Sequence, residues 1–99
     1  MGVKLPPGTV TVTPTSPSGP PVLGTVSEDS LSVTLDGVTY WWNQSDGRYQ
    51  QRIPPPPTNP PGEWRYLYFQ ADQTWDQYDT DPSTGNAIWT CHGHYTPNG

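Results

Sequence analysis

Two Asp-Gly dipeptides, Asp36-Gly37 and Asp46-Gly47, each separate short runs in which apolar and polar residues alternate. This is the strongest short-range hairpin signal, because a type I′ turn needs positive φ at both central residues and Asp-Gly supplies it at low cost. A two-residue loop at Asp36-Gly37 sets Leu35 opposite Val38, Val33 opposite Tyr40 and Leu31 opposite Trp42. Strand side chains alternate with period two, so those six share one face, while Ser32, Thr34, Thr39 and Trp41 take the other. The same treatment of Asp46-Gly47 sets Tyr49 opposite Gln44, Gln51 opposite Trp42 and Ile53 opposite Tyr40. On the outer face Trp41 then meets Arg52, a cation–π contact worth roughly 0.5–1 kcal/mol at an exposed site. A one-residue slip would turn the apolar set outward. The expectation is a three-stranded antiparallel meander within residues 25–53.

The flanks read differently. The chain holds 14 prolines and 10 glycines among 99 residues, and only 30% of it is hydrophobic. Charged residues are also few, at 13%, and aromatics reach 12%, which is not the composition of a disordered chain. A compact aromatic core with Pro-rich flanks reconciles these values. Residues 1–24 contain Pro6, Pro7, Pro14, Pro17, Pro20 and Pro21 and are expected to form an extended arm. Only Thr9-Val10-Thr11-Val12-Thr13 has strand character there, suited to an edge strand or to pairing with another molecule. Val22 to Val26 reads as a short strand and Ser27-Glu28-Asp29-Ser30 as a turn. Residues 54–62, PPPPTNPPG, read as a polyproline II spacer rising about 3.1 Å per residue, or as a ligand for an aromatic groove. Residues 63–99 read as a second aromatic β unit packed with the first, with strands in Trp64 to Gln70, Trp75 to Asp79 and Asn86 to His92. No segment has helical periodicity, so the fold class is all-β.

A formal net charge of −5, with Lys4, Arg48, Arg52 and Arg65 as the only basic residues, argues against nucleic acid as a partner. Cys91 is the single cysteine, so no internal disulfide is expected. No apolar run approaches membrane-spanning length, and Met1-Gly2-Val3-Lys4 leads into prolines rather than a signal core. The expectation is a soluble chain made in the cytoplasm, not secreted and not bound to membrane. Cys91-His92-Gly93-His94 lacks a second close pair of ligands, so no metal is expected there. Asp76, Asp79, Asp81 and Gly85 hint at a calcium loop, but Thr90 stands where an EF-hand needs its glutamate. No nucleophile–histidine set or phosphate loop emerges; the reading is not an enzyme, with no cofactor.

What remains is contact. Eleven Trp and Tyr residues exceed what so small a core can hide, and exposed rings favour protein contacts or stacking on sugar faces. The candidate partner-binding residues are the strand Thr9, Val10, Thr11, Val12, Thr13, together with Trp41, Arg52, Trp64, Trp75 and Trp89.

Pro61-Gly62-Glu63-Trp64, then Tyr78 to Gly85 (YDTDPSTG) and Trp89, is similar to a WW domain. That resemblance implies a three-stranded sheet binding proline-rich peptides through a Tyr/Trp groove. The chain departs from the pattern in the long spacing of Trp64 and Trp89, and Pro97 follows too late. Thr39 to Tyr49, TYWWNQSDGRY, resembles aromatic–Asn–turn–Gly segments of phage virion proteins. That likeness implies a capsid decoration or tail component located in the virion, partnered with other virion or assembly proteins in a homo- or hetero-oligomer. The expected function is therefore a virion assembly protein docking through its arm and exposed aromatics. The alternative is a small β-type recognition module for glycans or proline-rich peptides. On the first reading, loss of residues 1–24 leaves the melt little changed and abolishes attachment.

Overall fold

The computed structural model describes residues 2–52, 64–81 and 83–99. It is all-β, with eight antiparallel strands: β1 Gly8–Ser16, β2 Val22–Val26, β3 Ser32–Leu35, β4 Val38–Asn43, β5 Arg48–Arg52, β6 Trp64–Phe69, β7 Thr74–Thr80 and β8 Ala87–Pro97. Each strand pairs with the next, and β8 pairs with β1 to close a barrel. Closure removes the free sheet edges that an open meander would expose. Strands from both sides of residues 54–62 thus build one barrel. The polyproline reading and the Pro61-Gly62-Glu63 part of the WW-like pattern fall outside the described residues.

The first hairpin has the expected register, with Val33 opposite Tyr40 and Leu35 opposite Val38. Asp36 and Gly37 both take positive φ, 52° and 79°, as a type I′ turn requires. The second Asp-Gly behaves differently. Trp42 pairs with Tyr49 and Asn43 with Arg48, two residues away from the expected alignment. Gly47 has φ 67°, but Asp46 is not left-handed. Instead the Asn43 side-chain oxygen accepts from the Ser45 and Asp46 amides at 3.0 and 3.3 Å, and Gly47 donates to the Asn43 carbonyl at 2.8 Å. An Asx turn has therefore opened a four-residue loop, residues 44–47. Because the slip is two residues, Tyr49 and Gln51 keep their expected face, while the expected partner Ile53 falls outside the described residues. The expected Trp41–Arg52 pair is replaced by Trp41 opposite Gln50.

The larger correction concerns the N-terminal segment. Thr9 to Val12 is no edge: the strand pairs with β2 on one side and β8 on the other. The alternation of Val and Thr does set the two faces, since Val10 and Val12 are buried in the core. Pro14 did not end the strand, because the β1–β8 ladder shifts register between Pro14 and Ser16, a bulge that tolerates a missing donor. Ahead of β1, Gly2 donates to the Gly47 carbonyl at 2.8 Å and Val3 to the Phe69 carbonyl at 2.7 Å. These bonds carry Leu5 into the core, where it is 1% exposed.

The core is aromatic. Tyr49 lies edge-on to Trp42 and Phe69, with centroids 5.0 and 5.9 Å apart, and Phe69 lies edge-on to Tyr95 at 5.1 Å. Tyr49 is fully buried, and its hydroxyl both accepts from the Leu5 amide at 2.9 Å and donates to the Ser30 carbonyl at 2.8 Å. Tyr95 donates to the Gln70 carbonyl at 2.6 Å.

This core sets the pH response. Burial pushes the phenols of Tyr49 and Tyr95 above their ordinary value of 10.0, because the folded state disfavours the phenolate. The folded chain then holds protons that the unfolded chain releases, so stability is fully present below pH 10 and falls as pH rises past it. On the acid side, hydrogen bonds from Ser27 to Asp29 and from Thr74 to Asp72 hold those carboxyls below 3.8. Their contribution is present above the ordinary carboxylate value and lost as pH falls through the depressed one. Melting temperature measured from pH 2 to 12 should be level through neutrality and fall at both ends. An unchanged melt at pH 11 would contradict the buried-phenol account.

Candidate functional site

The sheet at β4, β5 and β6 carries a groove lined by Trp41, Asn43 and Gln50 from its outer face and by Trp42, Gln44, Gln51 and Trp64 beside them. It forms where β4 and β5 part. Their ladder covers Asn43↔Arg48, Trp42↔Tyr49 and Trp41↔Gln50, and beyond it the Gln51 amide nitrogen donates to the Thr39 carbonyl at 2.9 Å. A side chain has thus taken over from the backbone ladder. Trp41 is 58% exposed at the seam, a large apolar ring left in water.

The amides of this wall are oriented by neighbours that can only donate. The indole N–H of Trp42 donates to Gln44 Oε1 at 2.8 Å. Nε of Arg48 donates to Gln50 Oε1 at 3.1 Å, and Nδ2 of Asn43 donates to the same oxygen at 3.1 Å. Since indole and guanidinium nitrogens cannot accept, these bonds fix which end of each amide is oxygen. The carbonyl ends of Asn43, Gln44 and Gln50 are therefore engaged within the protein. The Nε2 groups of Gln44 and Gln50 donate to no described residue and are left as hydrogen-bond donors.

Arg48 holds this frame in place. Its guanidinium lies 3.9 Å from the Tyr66 ring centroid, donates to the Tyr68 hydroxyl at 2.9 Å and pairs with Asp46 at 3.1 Å. Lys4 Nζ sits 6.0 Å from the Trp42 ring centroid. No carboxylate is among the lining residues, although the chain is acidic.

The sequence-predicted contact residues divide among three places. Trp41 and Trp64 come together in the groove, and Arg52 pairs with Trp64 along the β5–β6 ladder. Thr9, Val10, Thr11, Val12 and Thr13 belong to β1, whose backbone is taken up on both sides within the barrel. Trp75 is 4% exposed and belongs to the core. Trp89 is 47% exposed but lies four strands from Trp41 around the wall, along the row Trp41, Gln50, Tyr66, Tyr78, Trp89. There its indole donates to Asp76 at 3.0 Å, and His92 Nδ1 donates to the same carboxylate at 2.7 Å.

Asn43, Gln44, Gln50 and Gln51 were not singled out in the sequence. The available signal was the alternation of Trp41 with Asn43 on one strand and the position of Gln50 on the next. The other clusters disperse. Cys91 pairs with Gln77 on the inner wall, while His92 pairs with Asp76 on the outer one. Asp79 binds Arg65 and Asp81 caps its own turn through the Ser83 amide. Among the described residues no three His, Cys, Asp or Glu side chains gather as a metal site. Compared with known protein families, curated proteins and solved structures, the chain matches none.

Proposed function

We propose that this barrel is a small recognition module that binds a glycan in the groove between Trp41 and Trp64. The observation that carries the reading is the combination of an exposed Trp41 ring with amide donors whose orientation is fixed by Trp42, Asn43 and Arg48. A sugar ring offers an apolar C–H face to stack on indole and a rim of oxygen acceptors to meet outward N–H groups. Pre-oriented side chains lose little entropy on binding, which favours affinity from few contacts.

The test is titration of glycan panels and proline-rich peptides, followed by tryptophan fluorescence and calorimetry. Trp41→Ala should weaken glycan binding tenfold or more, about 1.4 kcal/mol, with little change in melting temperature because the ring is exposed. A saturable response to peptides alone would assign the groove to polyproline recognition. Silence toward both would remove the module reading.

A structural role on a virus particle is the second reading. The exposed Ile88 and Trp89 on β8, each 47% accessible, favour it, being apolar surface suited to a protein neighbour. Co-sedimentation with the parent particle, lost in an Ile88→Asp variant that still folds, is the result expected on that reading.

A further inference from the structure

The barrel interior is not filled from end to end. Leu5, Val10, Val33, Tyr49, Leu67 and Phe69 pack one part of it to within 2% exposure. Elsewhere a cavity of about 190 Å³ remains, bordered by residues from every strand except β5. Its lining runs from buried Tyr40, Leu67 and Trp75 to Asp36, which is exposed in the β3–β4 turn. The cavity therefore reaches from the core to solvent at that end of the barrel. Eight-stranded barrels have an interior of the size that either side chains or one small ligand can occupy.

The walls are mostly apolar, with Val12, Pro14, Val22, Leu35 and Leu67 among them. The Trp75 indole nitrogen is packed against Gly93, so that residue adds ring surface rather than an accessible donor. Arg65 is committed to Asp79 through two hydrogen bonds, at 2.9 and 3.2 Å. Burial opposes the guanidinium charge, but the bonds to Asp79 and Tyr40 outweigh it and hold Arg65 protonated. Burial also pushes the Cys91 thiol up, so it stays neutral.

One charge in the lining is not matched. The Asp36 carboxylate makes no hydrogen bond or ion pair with any described residue. The basic side chains described are placed elsewhere: Arg65 is held by Asp79, Arg48 by Asp46, and Lys4 lies over Trp42. Gln77, a second polar lining residue, also has acceptor to spare. The Thr90 hydroxyl donates to the Gln77 backbone carbonyl, so its oxygen accepts from Gln77 Nε2 at 3.2 Å. That leaves Gln77 Oε1 without a donor among the described residues. The polar groups still open to a ligand are thus acceptors, one of them negatively charged.

We propose that this cavity is a second binding site, distinct from the outer groove, for a small organic ammonium ion, its apolar body inside and its charged nitrogen at the mouth against Asp36. A dry cavity of about 150 Å³ accommodates benzene, so the size here suits a single ring or a short branched chain. Placing the charge at the mouth keeps it in contact with water, whereas a charge carried into the apolar interior would be costly. An anion would meet the like charge of Asp36 and find Arg65 already taken. A neutral molecule of the same shape fits the walls but leaves the carboxylate without a partner.

The probes are benzylamine, protonated at neutral pH, and benzyl alcohol, which has the same ring and arm without the charge. The readout is the backbone amide resonances of Leu67 and Cys91 in ¹⁵N–¹H spectra of the full chain at low salt. Benzylamine should shift both saturably, and benzyl alcohol should bind about threefold or more weakly. Asp36→Asn should bring benzylamine down to the level of the alcohol; Asn-Gly suits the same turn, so the hairpin is kept. Cys91→Phe, which fills the cavity from β8, should abolish the shifts while leaving any glycan response at Trp41 intact. No saturable shift with benzylamine, or the same shifts in a folded Cys91→Phe protein, would overturn the site. Equal binding of amine and alcohol, or benzylamine binding unchanged in Asp36→Asn, would overturn the ammonium assignment. If Cys91→Phe fails to fold, Val22→Phe closes the same cavity from β2 and is judged by the same outcomes.

Discussion

Deletion of residues 1 to 24 will leave a chain with no cooperative unfolding transition. The segment removes all of β1 and most of β2, and with them both ladders that close the barrel, β1–β2 and β1–β8. It also removes Leu5, Val10 and Val12, each exposed by 4% or less. Burying an aliphatic side chain contributes roughly 1.5–3 kcal/mol, so these three approach the whole stability of a small domain, about 5–15 kcal/mol. The truncation further strips the Leu5 amide from the buried Tyr49 hydroxyl and leaves β3 and β8 with unpaired edges. Far-UV circular dichroism should show lost strand signal and a featureless melt. A sharp transition within a few degrees of the full chain would show that the remaining strands close without β1, and would restore the docking-arm account.

That expectation reverses the one drawn from the sequence, and the reason is physical. Local signals were legible where a turn residue and its flanking alternation agree, as at Asp36-Gly37, where both residues take the left-handed conformation. At Asp46-Gly47 the same dipeptide was overruled by Asn43, whose side chain captured two backbone amides and lengthened the loop. The sidedness of Tyr49 survived because period two tolerates a shift of two. Closure was not legible, because Val12 pairs with Tyr95 and Val10 with Pro97 across nearly the whole chain. Nothing local to a Pro-rich stretch announces such a partner, and Pro14 reads as a strand end unless the bulge beside it is known. The groove was half legible. Trp41 pointed outward among polar neighbours in the sequence, but the amides that frame it come from a loop and a strand set by the shifted register.

The closing seam provides the second large effect, at Gly93. This residue pairs with Pro14 on β1 and with Trp75 on β7, and it faces the barrel interior, where it is buried. Its φ is not in the left-handed region, so the backbone itself does not demand glycine; the neighbours do. A Cβ there would overlap the Thr13 carbonyl oxygen, and it would stand 3.0 Å from the Pro14 Cα and 2.9 Å from the Trp75 indole nitrogen. Two of these three are backbone atoms of β1, which cannot rotate away as a side-chain tip does. Gly93→Ala must therefore push β1 from β8 at the bulge, or tilt Trp75 out of its place beside Phe69. Overpacking of this kind costs typically 1–3 kcal/mol, occasionally more. For a domain of about 100 residues, 2–3 kcal/mol lowers the melting temperature by roughly 10–20 °C. Gly19→Ala is the matched control, since its Cβ would meet only Pro14 side-chain atoms at 3.7 and 3.8 Å, ordinary contact. The control should melt within about 2 °C of the parent chain, as surface changes away from such features usually do. A Gly93→Ala protein that melts with the control would mean that β1 and β8 have slack at this point, and the barrel would then owe its closure to the Val10 and Val12 side rather than to the bulge.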